Sequence, residues 1–208
     1  MRDYGETIED YDKGVGWHAQ KSLSYDWRSQ IDRFVAGLHG KRVLDAGCGC
    51  GRDIAEFTKR GFQADGIDYS GETIRRCRDK FPKSTFYEGD LRAMKEIPDD
   101  KYDGVWACAS LLNLAKDEAP KALSEFKRVL KRDGILFISV KEGEGEQIIP
   151  DQAGKRFFSF YSAHELKALV EKAGFKTTYA EVVPDSDLTG KVAVPHKTNW
   201  ICLYTTKP

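Results

Sequence analysis

The residues best placed to do chemistry lie in one short stretch of the chain, Val43-Leu44-Asp45-Ala46-Gly47-Cys48-Gly49-Cys50-Gly51-Arg52. An apolar run there leads into alternating glycines, which let the backbone adopt positive φ and come close to a ligand. If a helix begins directly after the glycines, its free N–H groups attract electronegative atoms. The stretch therefore predicts a cofactor loop between a strand and a helix.

The type of cofactor depends on Arg52 and Asp45. The dinucleotide fingerprint G-x-G-x-x-G requires glycine or alanine where this chain has Arg52, so a nicotinamide dehydrogenase is disfavoured. Asp45 stands two residues before the first glycine. A carboxylate at that place repels a pyrophosphate and attracts a cationic amino group. The two residues together favour a cofactor that carries an amino group.

Acids also end the next two predicted strands. Asp68 follows the run 63–67, about twenty residues beyond the first glycine, where a Rossmann-like sheet places the acid that accepts ribose hydroxyls. Asp90 follows a short strand predicted over 84–87. A single acid in such a place is often a solvated turn residue or a helix cap. Three acids at three consecutive strand ends favour a binding site.

The pattern D-x-G-x-G-x-G that begins at Asp45 resembles the first motif of the class I S-adenosylmethionine-dependent methyltransferases, over roughly residues 25–208 and most specifically over 43–140. The resemblance implies S-adenosylmethionine as cofactor, with its methionine part at the glycines, its ribose at Asp68 and its adenine at Asp90 and Leu91. The cofactor-binding residues expected on this basis are Asp45, Gly47, Cys48, Gly49, Gly51, Asp68, Tyr69, Asp90, Leu91 and Cys108.

The elements that must position these residues alternate along the chain. Strand-like runs are found at 43–46, 63–68, 84–87, 102–109 and 135–140. A loop separates the third run from the fourth, and amphipathic helical patterns separate the others, the last of them ended by Gly134. This order predicts an α/β fold with a doubly wound, mostly parallel sheet and helices on both faces. The resemblance implies seven strands, the last two being an antiparallel hairpin over 175–183 and 199–206. We expect a lid over residues 1–24 that lacks a core element, and one domain over 25–208.

Length and composition limit the partners. A chain of 208 residues is long enough for one domain with a substantial core. The 33 basic and 33 acidic residues give a formal net charge of +0, so nucleic acid is not indicated as a partner. No apolar run is long enough for a membrane span, and we expect a soluble, cytoplasmic protein. The five cysteines are predicted to be reduced, and Cys48-x-Cys50 lacks the partner pairs of a zinc site, so no metal is expected.

Methyl transfer from a sulfonium ion is an in-line displacement that depends mainly on alignment, and it requires no metal or nucleophilic residue. The candidate catalytic residues are Asn113 and Lys141. Acceptor contacts are predicted at Tyr11, Trp17, Glu142, Phe158 and Tyr161. Each of these residues also has an ordinary interpretation as a surface or core residue. Substrate choice is predicted to reside in residues 141–161 and in the loop 184–196.

The function expected from the sequence is methyl transfer from S-adenosylmethionine to an O, N or S atom of a small molecule. A methyltransferase for adenine amines usually carries an Asn/Asp-Pro-Pro-aromatic tetrad after the fourth strand, where this chain reads Ala109-Ser110-Leu111-Leu112. RNA and protein acceptors with other motifs stay open. A protein that binds S-adenosylmethionine without catalysis stays open too, because it would share every glycine and acid used above.

Overall fold

The computed structural model describes residues 15–151, 154–189 and 198–208. Two helices come first, α1 (Val15–Leu23) and α2 (Arg28–Ala36). The helix α1 lies in the segment 1–24, which was predicted to be a lid without a core element, and none of the described side chains of α1 is buried. Tyr11, a predicted substrate contact, lies outside the described residues.

The remaining elements follow in the predicted alternation. In chain order they are β1 (Arg42–Ala46), α3 (Arg52–Lys59), β2 (Gln63–Asp68), α4 (Gly71–Lys80), β3 (Phe86–Glu88), β4 (Tyr102–Cys108), a 3₁₀ turn (Leu111–Asn113), α5 (Ala119–Val129), β5 (Leu130–Lys141), β6 (Glu146–Asp151), β7 (Gly154–Ser159), α6 (Ala163–Lys172), β8 (Lys176–Val183), α7 (Asp185–Thr189) and β9 (Trp200–Thr206).

Seven strands form the main sheet in the order β3-β2-β1-β4-β5-β9-β8. The five strands from β3 to β5 are parallel, and β9 runs antiparallel to both β5 and β8. The predicted fold class and the antiparallel C-terminal hairpin are thereby confirmed. The same edge of the sheet therefore contains the carboxyl ends of β1–β5 and β8 and the first residue of β9. In open α/β sheets, ligands bind at this edge.

A column of aromatic rings links the sheet to the helices on one of its faces. Trp106 of β4 stacks on Phe137 of β5 with 3.8 Å between the ring centroids. Phe34 of α2 and Phe57 of α3 pack against Trp106 at 5.2 and 5.6 Å. Trp106, Phe34, Phe57 and Phe137 are all fully buried. This packing fixes α3, and with it the glycine loop that precedes α3, against the strands.

The prediction for Gly134 was wrong. Helix α5 ends at Val129, and Gly134 lies within β5. The pairing of β5 with β4 shifts register between Tyr102 and Gly104, so the chain makes an irregular turn there, with Asp133 at a φ of 60°. A Cβ at residue 134 would lie 2.8 Å from the Lys131 carbonyl oxygen. Glycine is therefore required here by a close approach of backbone and not by a helix end.

Residues 141–161, expected to be a charged loop and an aromatic run, contain a second small sheet. Strands β6 and β7 pair antiparallel from Glu146↔Ser159 to Asp151↔Gly154. Ile148 on this hairpin is 64% exposed.

All five cysteines are free thiols, as expected. Within the described ranges no helix is long and apolar enough to cross a membrane. Nor do those ranges contain a group of His, Cys, Asp and Glu side chains suited to a metal ion.

Candidate functional site

The glycine loop joins β1 to α3 with three left-handed residues. Gly47, Gly49 and Gly51 have φ angles of 87°, 48° and 76°. The Gly47 and Cys48 N–H groups donate to the Ile67 carbonyl at 2.8 and 3.0 Å, which ties the loop to β2. A Cβ on Gly47 would collide with the Ser110 side chain. The loop can therefore take this shape only with glycine at these positions.

Asp68, at the end of β2, is held beside the loop. The Gly49 N–H donates to its Oδ2 at 2.9 Å, and the Ser70 N–H donates to its Oδ1 at 3.0 Å. The Ser70 hydroxyl in turn caps α4 by accepting from the Thr73 N–H at 3.1 Å. The Asp68 carboxylate is partly exposed and is fixed in place, with Tyr69 beyond it 52% exposed. This arrangement holds the Asp68 carboxylate at the end of β2, where ribose hydroxyls are predicted to donate to it.

Asp45, in β1, is a buried acid with one unsatisfied oxygen. It is 2% exposed, and its Oδ2 has no hydrogen-bond partner among the residues that the structure describes. Burial, followed by the nearby Asp53 carboxylate, raises the pKa of Asp45 well above its usual value, and Arg52 only partly opposes this. A cationic donor placed against Oδ2 would satisfy the oxygen and stabilise its charge. The Asp45 carboxyl therefore fits the amino group that the sequence predicted as a ligand.

Arg52 and Asp53, the first two residues of α3, form a buried ion pair that the sequence reasoning missed. Arg52 Nε and Nη2 donate to the two Asp53 oxygens at 2.6 and 2.7 Å, and Trp106 Nε1 donates to Asp53 Oδ2 at 2.8 Å. Arg52 Nη1 also donates to the Ser22 carbonyl at 3.0 Å. Arg52 thus joins α1 to the cofactor loop. In the sequence, this ion pair was indicated by two adjacent residues of opposite charge directly after Gly51.

The acid after β3 is already paired. Arg92 donates to both oxygens of Asp90 at 2.6 to 2.9 Å, and its Nη1 lies 2.7 Å from Glu118 Oε2. Burial alone would favour the neutral acid, but these hydrogen bonds hold the pKa of Asp90 below its usual value. Leu91 packs partly buried against the core. Asp90 is fixed at the sheet edge, and the adenine role of Asp90 and Leu91 stays a prediction.

Cys48 and Cys108, two further predicted cofactor contacts, are both buried. Cys48 lies in the loop, where the Cys77 thiol donates to the Gly49 carbonyl at 3.2 Å. Cys108 ends β4, with its Sγ 3.4 Å from Arg52 Nη2 and 3.5 Å from Ser139 Oγ. Burial raises the pKa of the Cys108 thiol. Both cysteines are thus small packed residues beneath the loop.

The candidate catalytic residues lie after two neighbouring strands. Asn113 ends the 3₁₀ turn after β4 and is exposed, with its amide donating to the Ala109 carbonyl at 3.4 Å. Lys141 is the last residue of β5, and its Nζ lies 5.1 Å from the centroid of the Trp200 ring. Burial lowers the pKa of Lys141 below its usual value. Lys141 is therefore the more sheltered of the two.

The predicted acceptor contacts are scattered. On α1, the Lys21 ammonium lies 4.7 Å from the centroid of the Trp17 ring. Glu142 accepts from the Asn199 amide at 2.8 Å. Phe158 and Tyr161 are 6% and 1% exposed and belong to the hydrophobic core. Contact of Phe158 and Tyr161 with an acceptor stays a prediction that their burial does not favour.

Sequence reasoning also missed a cluster at the same edge of the sheet. The Tyr25 hydroxyl and Trp200 Nε1 both donate to Asp185 Oδ1, at 3.1 and 2.7 Å. Tyr25 and Asp185 are 160 residues apart in the chain, so no local spacing connects them. The one available signal was the position of Trp200 at the start of a predicted strand.

A family model described as a methyltransferase domain matches residues 43–134. Among curated proteins, a glycine/sarcosine N-methyltransferase of Aphanothece halophytica is 27% identical over 165 residues, which is 74% of this chain and 58% of that protein. The S-adenosyl-L-methionine-dependent Diels-Alderase iccD of Talaromyces variabilis is 30% identical over 170 residues, 72% of this chain and 58% of that protein. The chain spans 40 to 58% of the first curated relatives that it matches.

Among solved structures, the chain is similar to the Burkholderia thailandensis 1,6-didemethyltoxoflavin-N1-methyltransferase, which was solved with 1,6-didemethyltoxoflavin and S-adenosylhomocysteine bound. The TM-score is 0.74 at 20% identity, covering 96% of this chain and 84% of that one. This likeness concerns the fold.

Proposed function

The chain belongs to the class I S-adenosylmethionine-dependent methyltransferases, and from that premise we propose that it transfers a methyl group to an O, N or S atom of a small-molecule acceptor. The observation that carries the proposal is the Asp45 Oδ2, a buried carboxylate oxygen at the base of a glycine loop that has no donor in the described part of the chain. A cationic amino group is the ligand chemistry that such an oxygen favours.

The residues that would hold the cofactor follow from the strand ends. Asp45 and the glycine loop would take its amino-acid part, Asp68 its ribose, and Asp90 with Leu91 its adenine. When bound, S-adenosylmethionine supplies a methyl group on a positively charged sulfur. The chain contributes binding and alignment, since the loop is fixed to β2 through Ile67 and to α1 through Arg52.

Three observations support a small acceptor. The formal net charge is +0, which offers no general attraction for a nucleic acid. The chain lacks the Pro-Pro-aromatic tetrad after β4. The similar proteins include a glycine/sarcosine N-methyltransferase and a 1,6-didemethyltoxoflavin-N1-methyltransferase. A cytoplasmic location and a single methyltransferase domain over residues 25–208 are part of the same proposal.

A second candidate is a protein that binds the cofactor without transferring its methyl group. The 30% identity to a protein named as an S-adenosyl-L-methionine-dependent Diels-Alderase favours keeping this candidate. Only turnover separates it from a methyltransferase, because both need the same loop and strand-end acids.

The test is incubation of the purified protein with methyl-labelled S-adenosylmethionine and a fractionated cell extract. We expect the label in the low-molecular-weight fraction and S-adenosylhomocysteine in equal amount. The Asp68→Ala variant, assayed at the same cofactor concentration, should transfer much less label to that fraction. Label in RNA or protein would contradict the small acceptor. Cofactor binding with no S-adenosylhomocysteine formed would favour the second candidate.

A further inference from the structure

The Asp185 cluster, defined as Tyr25, Lys141, Asp185 and Trp200, lies at the sheet edge that carries the glycine loop. Lys141 ends β5 and pairs directly with Trp200 at the start of β9, which also pairs with Val183 at the end of β8. Because parallel strands end at a common edge, the cluster follows β5 and β8 as the loop follows β1. The cluster therefore stands beside the proposed cofactor site, over the other half of the sheet.

Asp185 is buried with one oxygen satisfied and the other not. It is 4% exposed, and its Oδ1 accepts from both the Tyr25 hydroxyl and Trp200 Nε1. Its Oδ2 is buried and has no hydrogen-bond partner within residues 15–151, 154–189 and 198–208. Leaving such an acceptor unpaired costs about 1–3 kcal/mol, and more when the group is charged. A cationic N–H donor is the group that relieves this cost most fully.

Aromatic rings surround the cluster on the side of α2. The rings of Tyr25 and Trp27 lie 5.8 and 5.4 Å from that of Trp200, both edge-on. Aromatic faces attract a cation and contribute most where water is excluded. The surroundings of Asp185 thus favour an ammonium group over a neutral donor.

Lys141 supplies the opposite charge. Its Nζ lies over the same Trp200 ring, and this nitrogen has no hydrogen bond or ion pair within the described residues. Besides Asp185, the charged groups that act on it are Lys21 and Arg156, which disfavour its ionisation as burial does. An anionic oxygen beside Nζ would stabilise the charged form. Lys141 is partly exposed, so ligand can reach it from solvent.

We propose that the Asp185 cluster binds the methyl acceptor as a small zwitterion of the α-amino-acid type, with its ammonium or amino group on Asp185 and its carboxylate on Lys141. This assignment rests on the proposed function and names the acceptor class for that site. Asp185 and Lys141 contact one indole ring, at its N–H and its face, so the two charges of the ligand must lie a few bonds apart. A purely anionic acceptor would face the unpaired Asp185 carboxylate, and a neutral one would leave Oδ2 without a charged donor.

The test measures binding by saturation-transfer NMR on protein first saturated with S-adenosylhomocysteine, whose own binding is checked by calorimetry. The probes are free α-amino acids, the same amino acids N-acetylated, and their carboxamides. We expect binding of at least one free amino acid and about tenfold weaker binding of its two blocked forms, as for loss of one charged hydrogen bond.

Variants separate the two contacts. Asp185→Asn should weaken binding of the free amino acid about tenfold and leave binding of its N-acetyl form unchanged. Lys141→Gln should weaken binding of the free amino acid and leave binding of its carboxamide unchanged. Asp187→Asn, the same change at an exposed acid of α7, should alter neither. If Asp185→Asn fails to fold, binding of the blocked amino acids to the wild type and binding of the free amino acids to Lys141→Gln still test the assignment.

S-Adenosylhomocysteine binding without preference for any free amino acid over its blocked forms would overturn the assignment and leave the proposed function standing. Equal effects of Asp185→Asn and Asp187→Asn would overturn it as well. Failure of S-adenosylhomocysteine to bind would instead overturn the proposed function.

Discussion

Replacing Asp45 by asparagine should stabilise the cofactor-free protein and weaken cofactor binding at the same time. The carboxylate is 2% exposed and none of the described residues donates to its Oδ2, so its charge destabilises the free protein. A buried acceptor left unpaired costs about 1–3 kcal/mol. For a chain of this length each kcal/mol shifts the melting temperature by about 2–4 °C. We therefore expect the free Asp45→Asn variant to melt a few degrees above the wild type.

Cofactor affinity should change in the opposite direction. A hydrogen bond to a charged group contributes about 1.5–3 kcal/mol, so the loss of the Asp45 charge should weaken S-adenosylhomocysteine binding about ten- to a hundredfold. Calorimetry measures the dissociation constant, and thermal denaturation with and without ligand measures both effects on one sample. Asp79→Asn, the same change on the exposed face of α4, is the matched control and should alter neither quantity.

The stability gain should depend on pH. Because the folded-state pKa of Asp45 is raised above its ordinary value of 3.8, the folded protein holds the proton more tightly than the unfolded chain. Wild-type stability therefore falls as the pH rises from 3.8 through the raised pKa, and the cost is complete above it. The advantage of Asp45→Asn should therefore shrink as the pH is lowered from above the raised pKa towards 3.8. A variant that melts below the wild type, or that binds S-adenosylhomocysteine equally well, would refute the reasoning.

Three further predictions follow from the same contacts. Asp68→Ala should weaken S-adenosylhomocysteine binding by about 1–3 kcal/mol with an unchanged circular dichroism spectrum, and an unchanged dissociation constant would remove Asp68 from the site. Arg52→Ala leaves Asp53 buried without its counter-ion and should lower the free energy of unfolding, measured by urea denaturation, by about 3–5 kcal/mol. A decrease of less than about 1 kcal/mol would show that the ion pair does not stabilise the fold. Of the five thiols, Cys50 alone is partly exposed and should react with a thiol reagent in the native protein, with all five reacting after unfolding; fewer than five would indicate a disulfide.

The parts of the fold that were predicted correctly are those whose signals are local. Strands were expected at 43–46, 63–68 and 102–109, and β1, β2 and β4 lie there. Alternating apolar runs and helical stripes gave the order of the central strands and helices. Local signals failed where a contact from elsewhere in the fold decides. In the sequence Gly134 resembled a helix end, but it lies within β5. Glycine is needed there because the Lys131 carbonyl comes close to its Cα, a contact that the sequence does not show.

The same division holds for the site. The cofactor residues Asp45 and Asp68 could be proposed because glycine loops and strand-end acids have recognisable spacing. The residues proposed to bind the acceptor could not be predicted from the sequence. Asp185 contacts Tyr25 and Trp200 only because α7 and β9 pack against the segment before α2. Phe158 and Tyr161 were proposed from an aromatic run, and such a run does not reveal which face of its strand is covered. Both side chains are buried in the core.

The central claim is that Asp45 and Asp68 hold S-adenosylmethionine through its amino group and its ribose. A crystal structure of the protein with S-adenosylhomocysteine tests this most directly. The account predicts the ligand's amino nitrogen within hydrogen-bond distance of Asp45 Oδ2 and both ribose hydroxyls at Asp68. A ligand bound with Asp45 Oδ2 still unpaired, or with its ribose away from Asp68, would contradict it.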